Sequence, residues 1–550
     1  MALRLRGETT SYSFRPKEPE IARLEKSSGI TRRLVVPTPS DAIVLQAVVN
    51  AISGAVIEEA PTDSAFFAAS HRGRVKTMAD IDGTFPSDWL GLWKEGQRRI
   101  MEFTRTYPVL VVTDVANYFD SVPHGQLRNR LAALGRFDET LVDLLFYALE
   151  SLTWRPEYLP RSGVGLPQIA FDAPRLLAHL YLYEADRHLD ERTDFVRWMD
   201  DITFGAQSVT DAKRTLRDLD ELLSSLGVRL HAGKTKILTG EEGAAYFRMD
   251  ENRALTVVDN LLETFPSEAR SEARRDYLRA MWRRVYRGGR AGYWSKVVKR
   301  SFTLFTKTGD AYLQRWVPEV LAHHPDLRPA AFRYLRTLGY SRRRFKDVVA
   351  FVQSDHCLDD ASLFGAVQLL CEWALPLQKP SWEEAAALAH GLVAGARGRA
   401  VPLCAALWLL AKYGPEGDLG RVVMENERAW RSSEWASRQV AAATVRMSAE
   451  DARIVAQTVS SYGLTEGSAV LLHLQQIGDA DEFDDQVRDY VQYDNGPARP
   501  YPLPKVLTTL VLLRSRLPED QKAEVAGRVL AVVNDPWYER IIRQETARFS

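Results

Sequence analysis

Two adjacent carboxylates, Asp200 and Asp201, stand in the tetrapeptide Trp198-Met199-Asp200-Asp201, flanked by apolar Phe195, Val196, Ile202 and Phe204. A third, Asp114, closes the apolar run Val109-Leu110-Val111-Val112-Thr113. Hard divalent cations take carboxylate oxygens as ligands. Two such ions, about 3.5–4 Å apart, neutralise a triphosphate and an attacking hydroxyl as both become negative, which is the chemistry of two-metal nucleotidyl transfer. The three groups must then converge on rigid backbone. The apolar flanks of Asp200 and Asp201 predict a β-hairpin with the pair at its bend, and the Val-rich run predicts a strand that ends at Asp114 beside it. An isolated Asp-Asp pair is more often a solvated turn, so the surrounding segments decide.

Those segments come in a definite order. After Asp114 the chain reads Val115-Ala116-Asn117-Tyr118-Phe119-Asp120-Ser121-Val122-Pro123-His124. Ser121 and Pro123 supply cap and first-turn chemistry, which makes Asp120 and His124 structural. Gly165-Leu166-Pro167-Gln168 then precedes a helical pattern from Asp172 to Asp186, and Gly233-Lys234-Thr235-Lys236 follows Leu226-Gly227-Val228-Arg229-Leu230. Upstream lie Arg32-Arg33 and Ser70-His71-Arg72-Gly73-Arg74. Together, over roughly residues 30–240, these segments resemble reverse transcriptases.

The resemblance implies catalytic Asp114, Asp200, Asp201 and Lys234, the lysine approaching the leaving phosphate. It implies metal binding by Asp114, Val115, Asp200 and Asp201, with Mg2+ as the ion and Mn2+ as an alternative. Phe119 would be the ring that limits the sugar pocket and favours dNTPs; its bland reading is a core aromatic. Gln168, Arg72 and Arg74 would contact the nucleotide, since a guanidinium fork matches phosphate oxygens. One departure stands out: Ile169 occupies the place after Gln168 where the family has glycine, and a β-branched residue does not allow the same close backbone approach.

At 550 residues the chain exceeds what one core usually holds, so two or three domains are expected. A formal charge of +0 and a pI of about 7.2 exclude a general polyanion-binding surface. Nucleic-acid contact must therefore be local, and the stretch Arg274–Arg300 supplies a local surface by mixing arginines with Tyr277, Trp282, Tyr286, Tyr293 and Trp294. Arg283, Arg284 and Arg287 are its candidate nucleic-acid ligands. An amphipathic helix with buried aromatics is the competing reading. Cys357, Cys371 and Cys404 read as buried thiols in helical contexts, and no apolar stretch reads as a leader or a membrane span, so a cytoplasmic protein with no membrane partner is expected.

From about residue 310 helical periodicity is nearly continuous, in pairs spaced roughly 35–45 residues apart. The expected fold class is α/β plus all-α: right-hand polymerase fingers and palm (an antiparallel sheet with helices), thumb-like helices and a C-terminal HEAT-like α-helical repeat domain. The expected boundaries are 1–105, 106–245, 246–309 and 310–550. This combination resembles the prokaryotic abortive-infection reverse transcriptases of antiphage defence. That resemblance implies a homo-oligomer making DNA from dNTPs, in some members without an added template and with the product attached to a protein hydroxyl. Tyr12, in the polar segment Thr9–Ser13, is the priming candidate. The alternatives are a reverse transcriptase templated by a partner noncoding RNA and a catalytically silent scaffold.

Overall fold

Stretches of β-branched and aromatic residues become seven strands among the described residues: β1 (Glu20–Ser27), β2 (Ile30–Val36), β3 (Ala65–Phe66), β4 (Val109–Asp114), β5 (Phe195–Trp198), β6 (Asp201–Ala206) and β7 (Lys236–Thr239). The computed structural model describes all residues except 1, 28, 68–88, 157, 158, 160, 170, 378, 379, 397, 483, 493–499, 549 and 550. β1 and β2 pair with each other, and the other five form one sheet in the order β3-β5-β6-β4-β7. Only the β3–β5 pairing in that sheet is parallel.

Alternation along each strand sorts side chains between two cores. Val109, Val111, Phe195, Ile202 and Phe204 enter a large core shared with Val44, Leu45, Leu127, Leu149, Leu177 and Leu219. Leu110, Val112, Val196 and Trp198 face a smaller core around Phe66, Ile100, Phe103 and Phe247. Gly205 on β6 has no room for a side chain, because a Cβ there would lie 2.2 Å from the Tyr107 ring. Tyr107 is itself tied down, its hydroxyl donating to Asp194 Oδ2 at 2.6 Å.

The helix Pro39–Glu58 starts on a Thr38 cap and is long and apolar enough to cross a membrane, contrary to expectation. Its polar Ser40, Asp41, Gln46 and Asn50 interrupt the apolar run in sequence. Val44, Leu45, Val48, Val49, Ile52 and Val56 are buried in the large core, the behaviour of a core helix. The helix expected from Asp172 to Asp186 is broken at Leu182 into Asp172–Tyr181 and Tyr183–Asp190.

The chain divides into two compact units, one of residues 1–21, 33–254 and 290–294, the other of 22–32, 255–289 and 295–550. The four-part division expected above instead gave 22–32 to the first segment and 246–254 to the thumb-like one. In the second unit, Arg328 explains why 22–32 belongs there: its Nη1 donates to Glu25 Oε2 at 2.8 Å and to Asp359 Oδ2 at 2.9 Å, all three being buried. The Arg23 amide also donates to Asp360 Oδ2 at 2.9 Å.

Helices of the second unit pack in succession: Arg328–Leu338, Asp360–Glu372, Ala400–Tyr413, Glu434–Ala443, Thr465–Asp479, Leu503–Arg514 and Pro536–Thr546 form one row. Val317–His323, Arg342–Gln353 and Pro380–Gly395 pack as a second row. Ala400–Tyr413 is apolar apart from Lys412, whose buried ammonium pairs with Asp535 at 2.6 Å, and is buried almost throughout, as a helix covered all round must be. Short polar helices such as Asp418–Glu425 and Asp485–Gln492 were not apparent from apolar periodicity. Cys371 and Cys404 are buried in helices, whereas Cys357 is half-buried in a loop, where Asp355, His356 and Asp359 around it leave no helical stripe. Burial pushes the Cys371 thiol up to about 12, the condition of an inert thiol.

Candidate active site

The register that builds the sheet also aims the carboxylates. Asp114 at the end of β4 is the direct partner of Asp201 at the start of β6. Asp114 shares its face of β4 with Leu110 and Val112, and Asp201 leaves the same side of the sheet. Directly opposed residues hold their Cβ atoms about 4.5–5.5 Å apart, and like charges there repel. Asp200 occupies the two-residue turn between β5 and β6, and the Val115 amide donates to its carbonyl at 3.2 Å. Backbone pairing thus brings Asp114, Val115, Asp200 and Asp201 together.

The turn is under strain. Met199 sits at φ +57°, a left-handed conformation uncommon for a side chain of this kind. Arg197, fully buried on β5, holds it from below, Nη1 donating to the Met199 carbonyl at 2.9 Å. Asp186 grips the guanidinium through both oxygens, at 2.6 and 2.5 Å. Burial works against the Arg197 charge, but Asp186 outweighs it and the net shift is upward. Arg197 does not stand out from strand alternation alone. A charge inside the apolar stretch Phe195–Trp198 was the available signal, since a buried charge requires a partner.

Lys234 reaches the same place from the turn before β7. The His231 amide donates to the Asp114 carbonyl at 2.8 Å, the Lys234 amide to the His231 carbonyl at 3.0 Å, and the Lys234 ammonium ion-pairs with Asp114 Oδ2. The other oxygen, Asp114 Oδ1, is buried and has no hydrogen-bond partner among the described residues. Burial, then Asp201 and Asp114, push the Asp200 carboxyl above its ordinary range, with Lys234 offsetting part of this. Among the described residues no three His, Cys, Asp or Glu side chains already form a metal cage. The donor set nevertheless fits a divalent cation: hard oxygens, net negative charge and an orphaned carboxylate oxygen.

Phe119 is half-buried against the large core, and its carbonyl accepts from the Leu166 amide at 2.6 Å. Gln168 faces the same segment, Nε2 donating to Asp120 Oδ1 at 2.7 Å, while its carbonyl accepts from the Val35 amide at 3.0 Å. His124 begins the helix His124–Ala133 and contacts the Gly165 carbonyl at 2.6 Å. Gly165 has φ +103°, and a Cβ there would lie 2.9 Å from Thr153 Cγ2. Arg72 and Arg74 lie outside the described residues.

Arg283, Arg284 and Arg287 are exposed on the helix Glu272–Arg287 of the second unit. Trp282 and Tyr286 on that helix are buried, stacked at 4.8 Å and packed against Trp316, so they are not available to bases. Tyr12 is 83% exposed at φ +56°, just after the helix Ala2–Thr10. Arg344, in the first turn of the helix Arg342–Gln353, donates to the Leu338 and Gly339 carbonyls.

A strand ending in one carboxylate, paired with a hairpin carrying two more, is an arrangement that could hold divalent cations for nucleotidyl transfer. Residues 37–273 match the family described as reverse transcriptase (RNA-dependent DNA polymerase), so the chain carries a reverse-transcriptase domain. No curated protein matches the chain. Among solved structures, a telomerase from Candida tropicalis in complex with a fragment of telomeric RNA is similar at 11% identity and a TM-score of 0.27, over 70% of this chain and 67% of that one.

Proposed function

We propose that the chain is a DNA polymerase of reverse-transcriptase type, adding dNTPs to a growing DNA strand. The observation that carries this reading is the pairing of Asp114 with Asp201, with Asp200 in the adjoining turn and one Asp114 oxygen unsatisfied. Asp114, Asp200, Asp201 and the Val115 carbonyl would hold Mg2+ or Mn2+. When bound, the ions supply charge neutralisation and activation of the attacking hydroxyl. Lys234 places a positive charge beside Asp114, where it would face the leaving phosphate. Phe119 would limit the sugar pocket, and Gln168 would border the nucleotide. Arg283, Arg284 and Arg287 would contact phosphates of the strand.

The motif order and the paired helices of the second half support a role in antiphage defence of the abortive-infection kind. In that reading the helices form a HEAT-like array and the protein is a cytoplasmic homo-oligomer. Ile169 favours synthesis without an added template, and the exposed Tyr12 is the proposed priming hydroxyl. A noncoding-RNA template is the second reading, favoured by the RNA-dependent character of the matched family.

Purified protein given Mg2+ and labelled dNTPs without template is expected to incorporate label, and Asp200→Ala/Asp201→Ala is expected to abolish incorporation. Label that runs with the protein until proteolysis supports protein priming. A requirement for added RNA and primer supports the templated reading, and retained synthesis in the double variant would overturn the site.

A further inference from the structure

Within the second unit, a cavity of about 1040 Å³ opens between the helices Pro380–Gly395, Ala449–Ser461, Leu503–Arg514 and Pro536–Thr546. Its size is at the upper end for sites that take a small ligand. Arg446 lines it, half-buried, with Nε donating to the Ala411 carbonyl at 3.1 Å and the guanidinium 5.1 Å from the centre of the Trp537 ring. Among the described residues no carboxylate lies within ion-pair distance of Arg446. A second guanidinium, Arg514, shares the cavity and is held by Glu545, which also accepts from Arg548 at 2.8 Å. Arg446 and Arg514 face one buried carboxylate, Glu545, which leaves this side of the cavity positive. Burial and Arg514 together lower the Arg446 pKa, with Glu416 and Glu545 offsetting in part.

The wall beside these charges is aromatic. Trp382 is half-buried, 6.0 Å from Trp537, and Arg540 sits exposed at the rim. Glu383 and Glu416, also on the rim, are exposed acceptors that suit an exocyclic amino group better than a phosphate. Guanidiniums suit phosphate, an indole suits a base and carboxylates suit amino groups, and a nucleotide presents all three. A half-enclosed cavity of this volume can take up a whole nucleotide, and a strand is the competing occupant that the titration below distinguishes.

We propose that this cavity binds a nucleoside triphosphate, with phosphates on Arg446 and Arg514 and the base against Trp382, as a site separate from the three aspartates. The test is calorimetric titration of the full-length protein in EDTA, which keeps divalent ions from the aspartates, using ATP, inorganic triphosphate and a 12-nucleotide oligo(dT) in separate runs. One ATP per chain is expected, unchanged in Asp200→Ala/Asp201→Ala and weakened about tenfold or more in Arg446→Leu. Where Arg446→Leu does not fold, Arg540→Glu at the exposed rim is expected to weaken ATP in the same direction. The proposal is overturned by absence of ATP binding, by binding indifferent to Arg446 and Arg540, by inorganic triphosphate binding as tightly as ATP, or by the oligonucleotide binding more tightly.

Discussion

Asp200 stands where its charge is opposed by burial and by Asp201 and Asp114, so its folded-state carboxyl titrates above the ordinary range. A carboxyl raised in this way favours folding fully below the unfolded Asp value, and that contribution is lost as pH rises through the folded value. Asp200→Asn removes the penalty of the charged form. Its melting temperature at pH 7 in EDTA is therefore expected to exceed the wild type by a few degrees, the gain fading toward pH 4 and shrinking in Mg2+. An equal gain at both pH values would contradict this account. Arg197 is the opposite case, since Arg197→Met leaves Asp186 buried without its partner and frees the Met199 carbonyl. A loss of about 3–5 kcal/mol is expected in denaturant unfolding. A loss under about 1 kcal/mol would show that the hairpin turn holds itself.

At the scale of elements, the hairpin β5–β6 depends on close packing at its far end as much as on the turn. Gly205→Ala would drive a methyl group into the Tyr107 ring, which is fixed at Asp194. The expected cost is about 1–3 kcal/mol, with DNA synthesis lost alongside because β6 carries Asp201. Unchanged stability would mean that the ring can swing aside. The hairpin and the strand ending at Asp114 were legible beforehand, because two-residue alternation and a Val-rich run are local signals. The break at Leu182 was not, since both halves continue the same apolar stripe across it.

Over the whole molecule, the segment 22–32 is far in sequence from the helices that hold it. Arg328→Met would leave Glu25 and Asp359 buried without a counter-charge, and a loss of about 3–5 kcal/mol is expected in the unfolding of the second unit. A neutral outcome would mean that the hairpin β1–β2 is held by packing alone. Helices with strong apolar stripes were legible throughout this unit. The grouping of 22–32 and 255–289 with it was not, because contacts across hundreds of residues leave no periodic trace.

The sequence by itself determined the three aspartates, the strands that carry them and the order of segments that marks a reverse-transcriptase domain, since residue type and short-range alternation encode all of these. The tertiary structure alone decided that Lys234 pairs with Asp114, that Arg197 holds the strained turn through Asp186, that Trp282 and Tyr286 are buried, and that Arg446 and Arg514 share a cavity. Each of those depends on which distant surfaces meet, and a buried charge or an aromatic ring looks the same in a sequence whether it faces solvent, a partner or the core.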